Sequence, residues 1–205
     1  MFSVKKYFAV LSLFVLSSIA HATPITFSFT GGPLDIGDPI QFSSGGLDLD
    51  VSGTPGVAVD NILGLGVVSG LFDLPEIDSI GPNESLDLDF SESVKLLEIG
   101  FSLVDFDDSG ILEVNGIEVL SGNIPGDLTT LGFGSLDVSG FDYIADNFSF
   151  TVDDAGFLRE NSYMISYLTV ETLGSSSNPI GVPEPAPFLL MGLGLFVLGT
   201  RKKAL

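Results

Sequence analysis

Apolar and polar residues alternate strictly along several stretches of this chain. Leu47, Leu49 and Val51 are interleaved with Asp48 and Asp50, and Leu86, Leu88 and Phe90 with Asp87 and Asp89. A period of two sends successive side chains to opposite faces, so both stretches predict half-buried antiparallel strands with carboxylates outward. Phe148, Phe150 and Val152 repeat the pattern, as do Tyr163, Ile165 and Tyr167. Leu112 to Val119 reads as a hairpin turning at Asn115-Gly116, a pair favoured where both central residues need positive φ. Elsewhere Gly and Pro recur at short intervals and leave no room for a long amphipathic helix. Many short strands separated by turns predict an all-β fold, an antiparallel β-sandwich of jelly-roll-like type.

The alternation stops at both ends of the chain. Lys5 and Lys6 precede an apolar run from Tyr7 to Ile19, and Ala20-His21-Ala22 offers small residues at Ala20 and Ala22 for cleavage. This predicts a signal peptide over residues 1–22, passage through the Sec translocon, removal by signal peptidase and a mature start at Thr23. At the other end a Ser- and Gly-rich linker over residues 174–181 leads into Val182-Pro183-Glu184-Pro185, an apolar run from Phe188 to Gly199, and the basic stop Arg201, Lys202, Lys203. A helix from Phe188 to Gly199 spans only about 18 Å, whereas crossing a membrane takes roughly 20 apolar residues. Taking the segment as about residues 183–200 restores the length, because prolines are tolerated in a first helical turn whose amides lack intrahelical partners. The basic cluster would hold the C-terminus on the cytoplasmic side.

The tail, over residues 182–205, resembles the PEP-CTERM sorting signal of Gram-negative bacteria. Pro183, Glu184 and Pro185 match its Pro-Glu-Pro motif, Leu189 to Leu195 its membrane stretch, and Arg201, Lys202 and Lys203 its basic end, with Ala204-Leu205 as a short extension. The resemblance implies that an exosortase is the processing partner. It implies transient anchoring in the inner membrane through a C-terminal helix, then delivery to the cell surface or extracellular matrix, often beside exopolysaccharide. The order of predicted strands between Glu84 and Glu171 also resembles the ectodomains commonly attached to this tail.

Residues 23–173 remain for any activity, enough for one domain with a two-layer core. There is no cysteine, so the domain holds together by packing alone. Of the 27 acidic residues only Glu184 lies outside Thr23–Val182, and of the 7 basic ones only Lys95 and Arg159 lie inside, giving the exported segment a net charge of −24. Nucleic acid is excluded as a partner, since nothing would neutralise its phosphates. Such a segment needs counterions. The candidate for a specific one, Ca²⁺, is the run Asp105, Asp107 and Ser109 with Glu113 nearby, whose alternate oxygens before Gly110 resemble the start of an EF-hand loop. The twelfth position is Gly116 rather than Glu, and strands flank it, so a solvated acidic turn is the competing reading.

The sole histidine, His21, falls in the leader. Catalysis by His or Cys nucleophiles, and zinc sites containing them, therefore cannot be built. Asp108-Ser109-Gly110 matches the tripeptide of aspartic proteases, but a second copy is missing. No spacing singles out a glycosidase carboxylate pair. The expectation is a non-enzymatic surface or matrix protein with no resident cofactor; the alternative is a secreted carbohydrate-active or Ca²⁺-dependent carbohydrate-binding protein.

Overall fold

A computed structural model of the protein describes residues 23–71, 73–79, 82–105, 107–126, 132–152 and 161–173. The leader, the linker, the Pro-Glu-Pro motif, the apolar segment and the basic stop lie outside the described residues. The chain divides into Met1–Leu173 and Gly174–Leu205. Among the described residues no helix is long and apolar enough to cross a membrane.

The described residues form an all-β, antiparallel structure organised around one long strand. In chain order the strands are β1 Ile25–Ser28, β2 Asp35–Gly37, β3 Ile40–Ser44, β4 Leu47–Thr54, β5 Val57–Asn61, β6 Gly64–Val68, β7 Ile77–Asp78 and β8 Ser85–Ser102. They continue with β9 Ser109–Val114, β10 Ile117–Asn123, β11 Gly134–Asp137, β12 Ile144–Val152 and β13 Ser162–Thr172. β8 has 18 residues and changes partners halfway along. Its first part, Ser85 to Phe90, lies between β4 and β12. Its second part lies between β13 and β11. β9 and β10 extend the β12 side, joined at Asn115 (φ 51°) and Gly116 (φ 72°), the two positive-φ residues a tight hairpin requires. β6, β5 and β2 extend the β13 side.

The period-two pattern survives where strands are regular. Leu47, Leu49 and Val51 on β4 and Leu86 and Leu88 on β8 are fully buried, with Phe90 nearly so. Phe27, Phe90 and Phe148 make successive edge-to-face contacts, with ring centroids 5.8 and 5.9 Å apart, which tie β1, β8 and β12 through one aromatic row. On the opposite face the carboxylates alternate as predicted, and one rung is informative. Asp50 and Asp89 stand directly opposite one another, a placement that costs stability for like charges. Each is compensated by its register partner on the next strand out: Gln41 donates to Asp50 at 3.0 Å, and Asn147 donates to Asp89 at 2.8 Å.

Alternation breaks at bulges, and there the sequence reading needs correcting. Ile165 pairs with Phe101 and Tyr167 with Gly100, so Ser166 is an extra residue that reverses the phase of β13. Tyr163 and Ile165 point into the core as predicted, but the inward set then becomes Leu168 and Val170. Tyr167 turns to the other face. Its ring lies over Gly100, where an added Cβ would meet it at 2.1 Å. β8 makes a matching adjustment: Val170 pairs with Leu96 and Thr169 with Glu98, leaving Leu97 extra, so burial passes from Val94 and Leu96 to Ile99 and Phe101.

Truncating the middle ring of the aromatic row tests whether it fastens the strands together. Phe90→Ala should lower unfolding stability by roughly 3–5 kcal/mol in urea denaturation, the usual cost of removing a buried aromatic ring.

Candidate functional site

Four acidic side chains depart from the rule that carboxylates face outward: Asp60, Asp78, Glu84 and Asp108 are each buried. For two of them the sequence holds a signal. Glu84 lies in the same phase as Leu86, Leu88 and Phe90, and Asp60 in the same phase as Ala58, so carrying the alternation one step further puts an acid on an inward position.

Asp108 is satisfied. Its Oδ2 accepts from the Asp105 amide at 2.6 Å and its Oδ1 from the Ser162 amide at 3.1 Å, which pins the loop before β9 to the start of β13. Burial raises its pKa to about 6, against the lowering effect of those two amides. This geometry decides how the predicted calcium loop is arranged. Asp108 is the carboxylate turned inward, while Asp105 is exposed and Asp107 partly so. Ser109 opens β9 and accepts from the Asn161 side chain at 3.0 Å. Glu113 lies four residues further along the same strand, about 13 Å away at the rise of an extended chain, opposite Glu118 and Ser149. The structure does not gather Asp105, Asp107, Ser109 and Glu113 around one point.

Another set does converge. Asp73, Asp78 and Glu84 each offer a carboxylate oxygen, and these oxygens lie within 4.8 Å of one another. Asp78 ends β7, which is held against β13 through Ser162 and Tyr163. Asp78 and Glu84 exchange contacts: the Asp78 amide donates to Glu84 Oε2 at 3.3 Å, and the Glu84 amide donates to the Asp78 carbonyl at 3.1 Å. The Glu84 carbonyl accepts from the Thr151 hydroxyl at 2.7 Å. Asp73 is drawn in by Ser69, whose amide and hydroxyl both donate to Oδ2, at 2.6 and 2.8 Å. Glu84 has no exposed surface, and its Oε1 is buried without a hydrogen-bond partner. Burial first, then the Asp78 and Asp73 charges, raise its pKa to about 7, although Ser69 and the Asp78 amide act the other way. For Asp73, burial pushes the pKa up, but the Ser69 hydrogen bonds and the adjacent Glu84 side chain outweigh it and hold the carboxyl below its usual range.

Asp60 is the fourth buried acid. Its Oδ1 also lacks a partner, and burial followed by the opposing Asp35 charge raises its pKa to about 6. Among the described residues Lys95 is the one Lys or Arg, and it pairs with Asp142 at 2.8 Å, away from these groups.

A different surface carries hydroxyls and aromatic rings. The row Ser28, Tyr167, Gly100, Ser135 crosses β1, β13, β8 and β11 in register. Ser28, Tyr167 and Ser135 of this row, with Thr30, Phe133 and Ser166, line an open groove of about 380 Å³. Tyr167 is fixed in it by lying over Gly100 and by donating its hydroxyl to Glu98 Oε1 at 2.7 Å. A smaller hollow of about 110 Å³ is lined mainly by apolar side chains, Ile99, Leu112, Phe150 and Tyr163 among them.

The model of one family, the PEP-CTERM protein-sorting motif, matches residues 181–203, and the chain carries that motif. The motif implies exosortase as the processing partner and export with membrane-associated sorting. Comparison with curated proteins and with solved structures gave no match.

Three of the buried acids, Asp60, Glu84 and Asp108, set a pH dependence. Each has a folded pKa above its unfolded value, so the folded state binds more protons than the unfolded state between about pH 4 and 7. Their contribution is greatest below the unfolded pKa and is lost as pH rises through the folded values. In chelator without divalent cations, the melting temperature should climb as pH is lowered from 8 to 5; thermal scans giving a fall over that range would contradict these assignments.

Proposed function

We propose that this PEP-CTERM-bearing chain is an exported, non-enzymatic protein of the bacterial cell surface or extracellular matrix, sorted by its C-terminal signal. The observation that carries this reading is the motif at residues 181–203. In the proposed route the leader over residues 1–22 takes the chain through the Sec translocon and is removed by signal peptidase. Residues 23–173 fold outside as a jelly-roll-like β-sandwich. The segment at about residues 183–200, stopped by Arg201, Lys202 and Lys203, holds the chain in the inner membrane of a Gram-negative cell until exosortase acts near Pro183, Glu184 and Pro185. A segment of marginal spanning length suits a temporary anchor better than a permanent one.

At its destination the domain would associate with exopolysaccharide. The groove over β13 and β11 supports this reading: sugars present apolar faces edged by hydroxyls, and Phe133 and Tyr167 there stand among Ser28, Thr30, Ser135 and Ser166. A carbohydrate-binding module using the same groove is the second reading.

Two experiments separate the parts of this proposal. Replacing Pro183, Glu184 and Pro185 together with Ala, or deleting the exosortase, should leave a larger precursor in the inner-membrane fraction; unchanged size and location on immunoblots of fractionated cells would sink the sorting route. Tyr167→Ala, a substitution at a half-buried groove position, should reduce co-sedimentation with the host's purified exopolysaccharide several-fold. Undiminished binding would remove the groove from the account.

A further inference from the structure

We propose that Asp73, Asp78 and Glu84 form a binding site for a divalent cation of the calcium class, which joins the loop before β7 to the start of β8. The inference stands on geometry and holds whether or not the sorting route does. Calcium coordinates oxygens at about 2.3–2.6 Å, so two of its ligands can lie no further apart than about twice that distance. The three carboxylates meet this limit, with one oxygen of each within 4.8 Å of the others.

An acidic cluster alone could be only a solvated face. Glu84 distinguishes this one, because it has no exposed surface and its Oε1 is buried without a partner. Leaving a carboxylate oxygen in that condition costs free energy unless a proton or a cation supplies what water would have. The main chain has already spent its nearby donor on the other oxygen, since the Asp78 amide points at Oε2. Ser69 likewise commits its amide and hydroxyl to Asp73 Oδ2, holding that side chain toward the cluster.

The ligand chemistry narrows the ion. All three groups are hard oxygens, and the exported segment contains neither cysteine nor histidine, so zinc and copper lack the nitrogen and sulfur ligands they prefer. Calcium accepts six to eight oxygens in flexible geometry. Mono- and bidentate carboxylates with water can supply them, whereas magnesium demands a near-octahedral shell and gives up its water reluctantly.

The test uses the full chain at about 0.15 M NaCl, where diffuse attraction of cations to the acidic surface is screened beyond roughly 8 Å. Equilibrium dialysis with Ca²⁺ should give one saturable site per chain. The melting temperature should rise by roughly 5–10 °C at about 100 times the dissociation constant, and Mg²⁺ should do less. Glu84→Gln should fold with its melting temperature in chelator unchanged or raised, and should lose both responses. Asp73→Asn, at a partly exposed position, provides an independent variant should the buried one fail to fold, and it should weaken binding at least tenfold. Absence of a saturable site in the unaltered chain, or unchanged affinity in Asp73→Asn, would overturn the proposal. So would transfer of the effect to the double variant Asp105→Asn, Asp107→Asn, which would put the ion in the loop before β9.

Discussion

Carboxylates outnumber cations by 26 to two between Thr23 and Val182, and the fold has to separate or satisfy them, because unscreened like charges work against the compact state. Strand alternation sends the acids on the strands outward, apart from Asp60 and Asp78. The Gln41, Asp50, Asp89, Asn147 rung handles a harder case, in which two acids face each other across β4 and β8 and a carboxamide on either side supplies a donor. The core can then be purely apolar across that part of the molecule. One aromatic row, Phe27 to Phe90 to Phe148, connects β1, β8 and β12, a stabilisation by packing in a chain that has no cysteine.

The same constraint explains why the buried acids are informative. Asp108 is compensated by two backbone amides and so serves to pin a loop. Glu84 accepts a backbone amide on Oε2, while its Oε1 is buried without a hydrogen-bond partner, in the company of Asp73 and Asp78. Two buried acids, each one residue before a strand, thus have different chemistry. The difference lies in which donors the local backbone offers, and in that respect Asp108 is complete while Glu84 is not.

Where strands are regular, much of this was legible from residue order. The segments around Leu47 to Val51 and Leu86 to Phe90 declare themselves by period two, and Asn115-Gly116 declares a hairpin because few residue pairs accept positive φ twice. Tyr167 was misplaced because a bulge inserts Ser166 and reverses the phase, and single-residue bulges leave no periodic trace. The acidic run from Asp105 to Ser109 drew attention as a cation loop through local spacing. The convergent carboxylates come instead from a loop, a two-residue strand and the step before β8, brought together by tertiary pairing. Glu84 did leave a trace, an acid in the apolar phase, visible only when the alternation is extended upstream of Leu86, its first hydrophobic residue. The C-terminal sorting motif is legible for another reason: sorting machinery reads linear sequence, so residues 181–203 match by residue order alone.

Compensation of the Glu84 carboxylate by a cation is the claim on which the charge account most depends. A crystal structure of the exported protein grown with Ca²⁺, with anomalous differences recorded at long wavelength, tests it directly. The expected result is a calcium peak about 2.3–2.6 Å from oxygens of Asp73, Asp78 and Glu84. A map with no anomalous peak there, and with Glu84 hydrogen-bonded to Asp73 through a shared proton, would contradict it.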